Sequence, residues 1–362
     1  MSKFVQESVW KKHQQEKRVN KKIKLAVLVL AILVVILLLG KTIDLITSLN
    51  KPVTKNLSNQ NYANWDGQSS INVVFLPDKS FNGYVYLLEF SPKEKKAVVL
   101  KISSQVYLEL PKDFGAWTVG SIYRLGQEEK PQIGATLLKL SLSKLISLPV
   151  DGIIFYRQKE ISRPEDLIGN LRKNPLSIVA ALQNSETDLA LSELIRFYYD
   201  LSKVRADQVV SLDLAQTDIT ESKLLADSSR VLGVDTVKLD LFIREKMADP
   251  SFLEESDSIA IFNATDYPGL ATLASKMVIN MGGTVVQISN TEQTRADSTV
   301  VVKKSEGKDT KDMSLTASRL TGIFAPKCLK VSCQIDDSEV ASSRAKINIV
   351  LGEDYYNLWY TR

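Results

Sequence analysis

Few residues of this 362-residue chain can do acid–base, nucleophilic or metal chemistry, and their positions exclude much of it. The only histidine is His13. Serine-histidine and cysteine-histidine nucleophilic sites, and histidine-ligated zinc centres, are therefore excluded from everything beyond residue 13. The two cysteines, Cys328 and Cys333, stand five positions apart. They either close a small disulfide loop in an oxidising compartment or remain two reduced, half-buried thiols, and spacing leaves both open. Residues 265–270 (TDYPGL) open a helix whose free amides could hold an anion, but a turn capped by Asp266 is the plainer reading. Gly282 and Gly283 lack a GxGxxG or Walker-type neighbour and read as a helix end, not a nucleotide loop. Trp117, Tyr123 and Tyr156 offer faces suited to sugars or a polyprenyl tail, against core packing as the ordinary fate. Asp78 reads as a turn residue after Pro77, and Arg124 as a solvated loop charge. Nothing in this set calls for a metal or cofactor.

The elements that must position these residues begin with an anchor. Residues 25–39 (LAVLVLAILVVILLL) carry no charge and no strong polar group, and lysines flank them at 21, 22, 24 and 41. A bilayer span takes roughly 20 helical residues. The flanking lysines can bury their stems and lift their amines to the interface, so residues 23–46 read as one transmembrane helix. A cleaved signal peptide is the alternative, but no A-x-A pattern follows the run. Ahead of the run, eight basic residues face Glu7 and Glu16, so residues 1–22 read as a basic cytoplasmic tail. The expected location is the cell membrane, single-pass, with the C-terminal side extracytoplasmic. Residues 1–24 carry +6 of a whole-chain +4, which leaves −2 for the remainder. The basic character belongs to the tail, and nucleic acid is not an expected partner despite a pI of about 8.7.

Residues 47–70 are polar and read as a tether. Strands are expected at residues 71–76, 84–90, 97–102, 106–110, 152–156 and 209–212. Helices are expected over 134–148, with Leu138, Leu142, Leu145 and Ile146 on one face, and around Leu191–Tyr198. This alternation predicts an α/β/α domain with a mixed sheet over residues 71–245. A polar stretch at 246–257 reads as a linker. Residues 258–362 follow as a smaller α+β domain of order β-α-β-β-α-β, its first helix carrying Leu270, Ala274, Met277 and Met281.

Several stretches of the first domain, in order, resemble the extracytoplasmic domain of the LytR-CpsA-Psr family. They are residues 71–76 (INVVFL), 87–96 (LLEFSPKEKK), 107–111 (YLELP), 148–154 (LPVDGII) and 187–195 (TDLALSELI). Residues 259–265 (IAIFNAT), 268–271 (PGLA), 297–301 (DSTVV) and 350–353 (VLGE) resemble the LytR C-terminal domain often found behind it. The resemblance implies an enzyme that attaches lipid-pyrophosphate-linked glycopolymers to the bacterial cell wall. Arginines would hold the pyrophosphate and aspartates a divalent metal, because adjacent phosphates need charge neutralisation before attack.

This chain departs from that pattern where the chemistry should sit. An Arg-x-Asp cluster is expected before residue 84, where Phe81 and Gly83 stand, and a Pro-Arg-Asp cluster before Tyr107, where Ser103, Ser104 and Gln105 stand. Arginine is absent from residues 25–123 altogether, so no change of register restores the motif. The sequence therefore predicts a membrane-anchored, non-catalytic relative that binds or scaffolds, with a lipid-linked glycan or cell-wall polymer as partner. An active phosphotransferase with replacement charges, and a purely structural module whose C-terminal domain binds a protein, are the alternatives.

Overall fold

The computed structural model describes residues 52–54, 57, 65–77, 83–158, 161–174, 176–303, 313–329, 340 and 342–361. The expected anchor at 23–46, Asp78, Phe81 and Cys333 lie outside the described residues. No helix among those described is long and apolar enough to cross a membrane.

The first lobe is built on β1 (Ile71–Leu76), β2 (Tyr84–Ser91) and β3 (Lys96–Ser103). Next come a small ribbon, β4 (Tyr107–Glu109) and β5 (Ala116–Thr118), and two helices, α1 (Val119–Gln127) and α2 (Gly134–Ile146). Strand β6 (Gly152–Tyr156) leads to α3 (Pro164–Lys173), α4 (Ser177–Gln183), β7 (Ser185–Thr187), α5 (Leu191–Leu201) and β8 (Val209–Asp213). The main sheet has the order β7-β6-β1-β2-β3-β8. Strand β1 is parallel to β6 and β3 to β8, while β2 runs antiparallel between β1 and β3. The ends of β1, β3, β6 and β8 thus share one edge.

A continuous apolar run such as residues 71–76 predicts a strand covered on both faces, and every residue of β1 is buried. Ile71, Val73 and Phe75 join Leu88, Phe90 and Tyr156 beneath α3 and α5. Val74 and Leu76 join Leu87, Leu100 and Ile153 beneath α2. Helix α2 is buried on nearly all sides, including Thr136 and Lys139, because the rest of the chain covers the face turned away from the sheet.

A hairpin, β9 (Thr220–Leu224) with β10 (Arg230–Val234), and α6 (Thr236–Lys246) follow β8, so the first lobe does not end its strands at 209–212 as expected. The polar tether expectation is corrected where residues are described. Val53 and Thr54 donate to the carbonyls of Leu189 and Thr187, and Leu57 and Trp65 are buried, while Val53 stays exposed. The stretch expected as a linker carries α7 (Pro250–Glu255), capped by Asp249 and with Phe252 buried. Its proline at the first helical position and aspartate before it are the local signals of a helix start.

The second lobe has β11 (Ser258–Asn263), α8 (Leu270–Asn280), β12 (Thr284–Asn290), β13 (Thr299–Val302), α9 (Leu315–Phe324) and β14 (Ile347–Leu351), the predicted order. Its sheet runs β12-β11-β14-β13, with β13 antiparallel to β14. Gly282, at φ +95°, and Gly283 donate to the carbonyls of Ile279 and Val278, a Schellman ending of α8. Asp266 does not cap this helix. The residue before it is Gly269 at φ +85°, and Asn263 organises the turn by accepting from the Thr265 amide and hydroxyl. A last helix, α10 (Glu353–Tyr360), was not expected. Tyr355 and Trp359, one turn apart, are its buried face.

Candidate functional site

The sequence-predicted site falls at the edge where β1, β3, β6 and β8 end, the place where open α/β sheets bind ligands. Gly83 and Ser104 are brought together there, the Ser104 amide donating to the Gly83 carbonyl at 2.8 Å. Gln105 is exposed, and its carbonyl accepts from the Leu232 amide at 3.0 Å. None of the three carries charge. The start of α1 offers no open anion cradle through its first amides, because Val119 and Gly120 donate to the carbonyls of Val106 and Ser104. Arg124 is exposed in the last turn of α1, so it is a helix residue and not the loop charge expected.

Charge does exist near this edge, but it is internally paired. Lys101 bonds Asp213 at 2.8 Å and lies 3.7 Å from the centre of the Tyr84 ring. Its hydrogen bond to Asp213 holds the amine above its ordinary pKa. Burial raises the neighbouring Tyr86, with Lys101 partly opposing it. The three aromatics considered as pocket walls do not converge. Trp117 is exposed and bonds the Phe114 carbonyl at 2.7 Å; Tyr123 meets Phe155 edge-on at 5.1 Å; Tyr156 lies in the core beneath the other face of the sheet. Cys328 is disulfide-bonded, while Cys333 lies outside the described residues. No cluster of three or more metal-ligating side chains occurs among the described residues.

A second site, unforeseen in the sequence, lies at the opposite end of the sheet, where the lobes meet. A cavity of about 80 Å³ opens between residues 65–69, the inner half of α2, residues 149–151 before β6, and α9 and α10. Its first wall is set by Trp65, whose indole donates to the Ser69 carbonyl at 2.7 Å and whose ring edges against Phe90 and Phe197. Asp66 accepts from the amides of Gln68 and Ser69. The far wall is α9 and α10. Arg319 reaches back across the junction to Asp151 at 2.8 Å, and the same Asp151 oxygen accepts from the Asn72 amide at 2.8 Å. Burial works against the Arg319 charge, but Asp151 beside it, with Asp249 and Asp66 beyond, holds its pKa above the ordinary value. Lys139, on α2, is paired with Asp188, whose other oxygen accepts from the Ile153 amide at 2.8 Å.

Three buried groups on residues lining this cavity find no hydrogen-bond partner in the protein: Arg319 Nε, Tyr355 Oη and Trp359 Nε1. The last two are neighbours, but their pairing falls outside hydrogen-bond geometry. Leaving such a group dry costs about 1–3 kcal/mol. Further bonds close the junction around the cavity: Ser70 to Asp249 at 2.7 Å, Asn280 to the Ile146 carbonyl at 3.2 Å, and the Lys112 amide to the Trp359 carbonyl at 2.7 Å. The signals for this site were present only as scattered residues, since Asp151 and Arg319 lie 168 positions apart.

Among solved structures, B. subtilis TagT is similar at 14% identity, over 54% of this chain and 95% of that one, with a TM-score of 0.37. B. subtilis TagV is similar at 11% identity, over 61% and 100%, with a TM-score of 0.37. A transcriptional regulator from Enterococcus faecalis is similar at 12% identity, over 61% and 91%, with a TM-score of 0.39. No curated protein sequence matches the chain. The second lobe is identified directly. Residues 258–355 match the family described as LytR cell envelope-related transcriptional attenuator, so the second lobe is a LytR C-terminal domain.

Proposed function

We propose that the protein is a membrane-anchored, extracytoplasmic component of the cell envelope that binds or scaffolds where its relatives catalyse. The observation that carries this reading is the ligand edge of the first sheet. Gly83, Ser104 and Gln105 stand where the resemblance requires arginine and aspartate, and their backbones are tied into the fold. A pyrophosphate placed there would lack counter-charges, at a cost of several kcal/mol. Lys101 and Asp213, which stand near that edge, are paired with one another. The cell-envelope assignment draws on the C-terminal domain, and the anchor on the apolar run at 25–39. A lipid-linked glycan or a cell-wall polymer is the partner this reading implies.

The test is turnover. The full chain in detergent, given a divalent metal, a lipid-pyrophosphate oligosaccharide and a cell-wall acceptor, is expected to release no lipid phosphate. Metal-dependent release would refute the loss of catalysis and favour an active phosphotransferase. A reporter fused after Arg362 checks the location. Activity confined to the cytoplasm would overturn it.

A further inference from the structure

We propose that the outer edge of β12 is a self-association surface, where a second copy of this chain pairs antiparallel about a twofold axis through Gln287. The surface lies on the second lobe and is independent of the anchor, of the cavity between the lobes and of the lost chemistry.

Strand β12 stands at the end of the sheet order β12-β11-β14-β13. One side of its backbone is paired to β11, and the other meets no strand among the described residues. Such an open row of amides and carbonyls is a template for another strand, and natural edges are guarded by charge, proline, brevity, a bulge or a cover. The other edges of the two larger sheets obey this. Strand β7 is three residues long and carries Glu186, β8 carries Asp213, and β13 is four residues long. By contrast β12 has seven residues (TVVQISN) with neither proline nor charge, and the uncharged stretch runs from Met277 to Thr291. Its one guard is a register slip against β11 at Val286. That slip leaves an apolar residue in the open: Val286 is 55% exposed and Ile288 49%. Two β-branched side chains on one open edge are apolar surface that a partner strand would cover.

Three observations select a second copy over an unrelated strand. First, exposure along β12 reads the same from either end. Val286, Gln287 and Ile288 are exposed, Val285 and Ser289 half-buried, and Thr284 and Asn290 exposed again. Second, the chemistry is matched about the same centre. Antiparallel pairing on Gln287 sets Val286 opposite Ile288 of the second copy, twice over, and sets Thr284 opposite Asn290. Third, the residue on the axis must tolerate its own image. A glutamine amide both donates and accepts, so it can bond its counterpart, whereas a lysine or glutamate there would repel itself. Pairing of this kind joins two four-stranded sheets into one continuous sheet.

The experiment uses the full chain, in its membrane and in detergent. In the membrane, Gln287→Cys under mild oxidation is expected to give a species of twice 40.4 kDa on a non-reducing gel, because the two thiols stand directly opposite. Asn290→Cys is expected to give none, since its own image lies six residues along the partner strand, about 20 Å away. In detergent, light scattering follows the dimer against protein concentration. Gln287→Lys and Gln287→Glu each place like charges opposite one another and should each raise the dissociation constant about fivefold. An equimolar mixture of the two should recover the dimer, which only self-apposition at residue 287 explains. Gln287 is exposed, so unchanged melting temperatures for both charged variants show that the effect is on association. A chain that stays monomeric at every concentration would overturn the proposal. So would equal coupling through Cys at 290, coupling at 287 to a different protein only, or a mixture that fails to recover.

Discussion

Replacing Arg319 by methionine tests whether the two lobes are one cooperative unit. The Arg319 and Asp151 side chains are only 11% and 16% exposed, nearer the regime of buried pairs than of surface ones. Removing one partner of such a pair costs about 3–5 kcal/mol, because the other charge is left desolvated; an exposed pair would cost about 0–1 kcal/mol. Asp151 retains the Asn72 amide after the change, which trims the penalty to the lower end, about 3 kcal/mol. Asp151→Asn keeps an oxygen for that amide but leaves Arg319 without its closest counter-charge, and about 3 kcal/mol is expected. Since the two residues touch, the double variant should be less destabilised than the two singles summed, by at least about 1 kcal/mol. Urea unfolding of the full chain, followed by tryptophan fluorescence, measures all three. Single changes that each cost under about 1 kcal/mol and simply add would refute the argument. Two separate transitions in the unaltered protein would refute the cooperative junction as well.

Two further outcomes are expected. Burial, with Asp249 and Glu94 nearby, pushes the Glu89 carboxyl well above the usual carboxylate range, partly opposed by the Ser70 hydroxyl and by Lys96. A carboxyl whose folded pKa exceeds its unfolded one contributes stability that is complete below the unfolded value and is lost as pH rises through the folded value. Thermal midpoints should therefore fall as pH rises above the ordinary glutamate pKa of about 4.3, and Glu89→Gln should flatten that part of the profile; an unchanged profile would show that Glu89 is not the group responsible. Helices α1 and α2 meet at two glycines, where a Cβ on Gly126 would stand 2.7 Å from Gly134 Cα. Backbone cannot yield as a flexible side chain can, so Gly126→Ala should cost about 1–3 kcal/mol, and an unaltered melting temperature would contradict the packing.

Local pattern and composition made the order of strands and helices in the second lobe legible. Its helices keep a clean apolar stripe, and its central strands are short apolar runs. The first lobe was less complete. Periodicity does not reveal helix α3, although Pro164, Glu165 and Asp166 announce its start, nor α10, although Tyr355 and Trp359 share a face. In α3 polar residues dominate the average and hide the few positions that pack, and α10, at eight residues, is too short for an apolar stripe to repeat. Trp65 was absorbed into a polar stretch for the same reason, since one buried indole does not change the texture of its neighbours.

By itself, the sequence determined what this protein lacks and where. The count of histidines, the absence of arginine from 25–123 and the neutral residues at Gly83, Ser104 and Gln105 need no coordinates, because they are statements about residue type. Tertiary structure alone decided what the chain has built. The ion pair of Asp151 with Arg319, the three unpartnered donors and the indole walls of Trp65 and Trp359 come from segments far apart in the chain. No periodicity links such residues; they become neighbours only when two separately legible lobes bury their facing surfaces against each other.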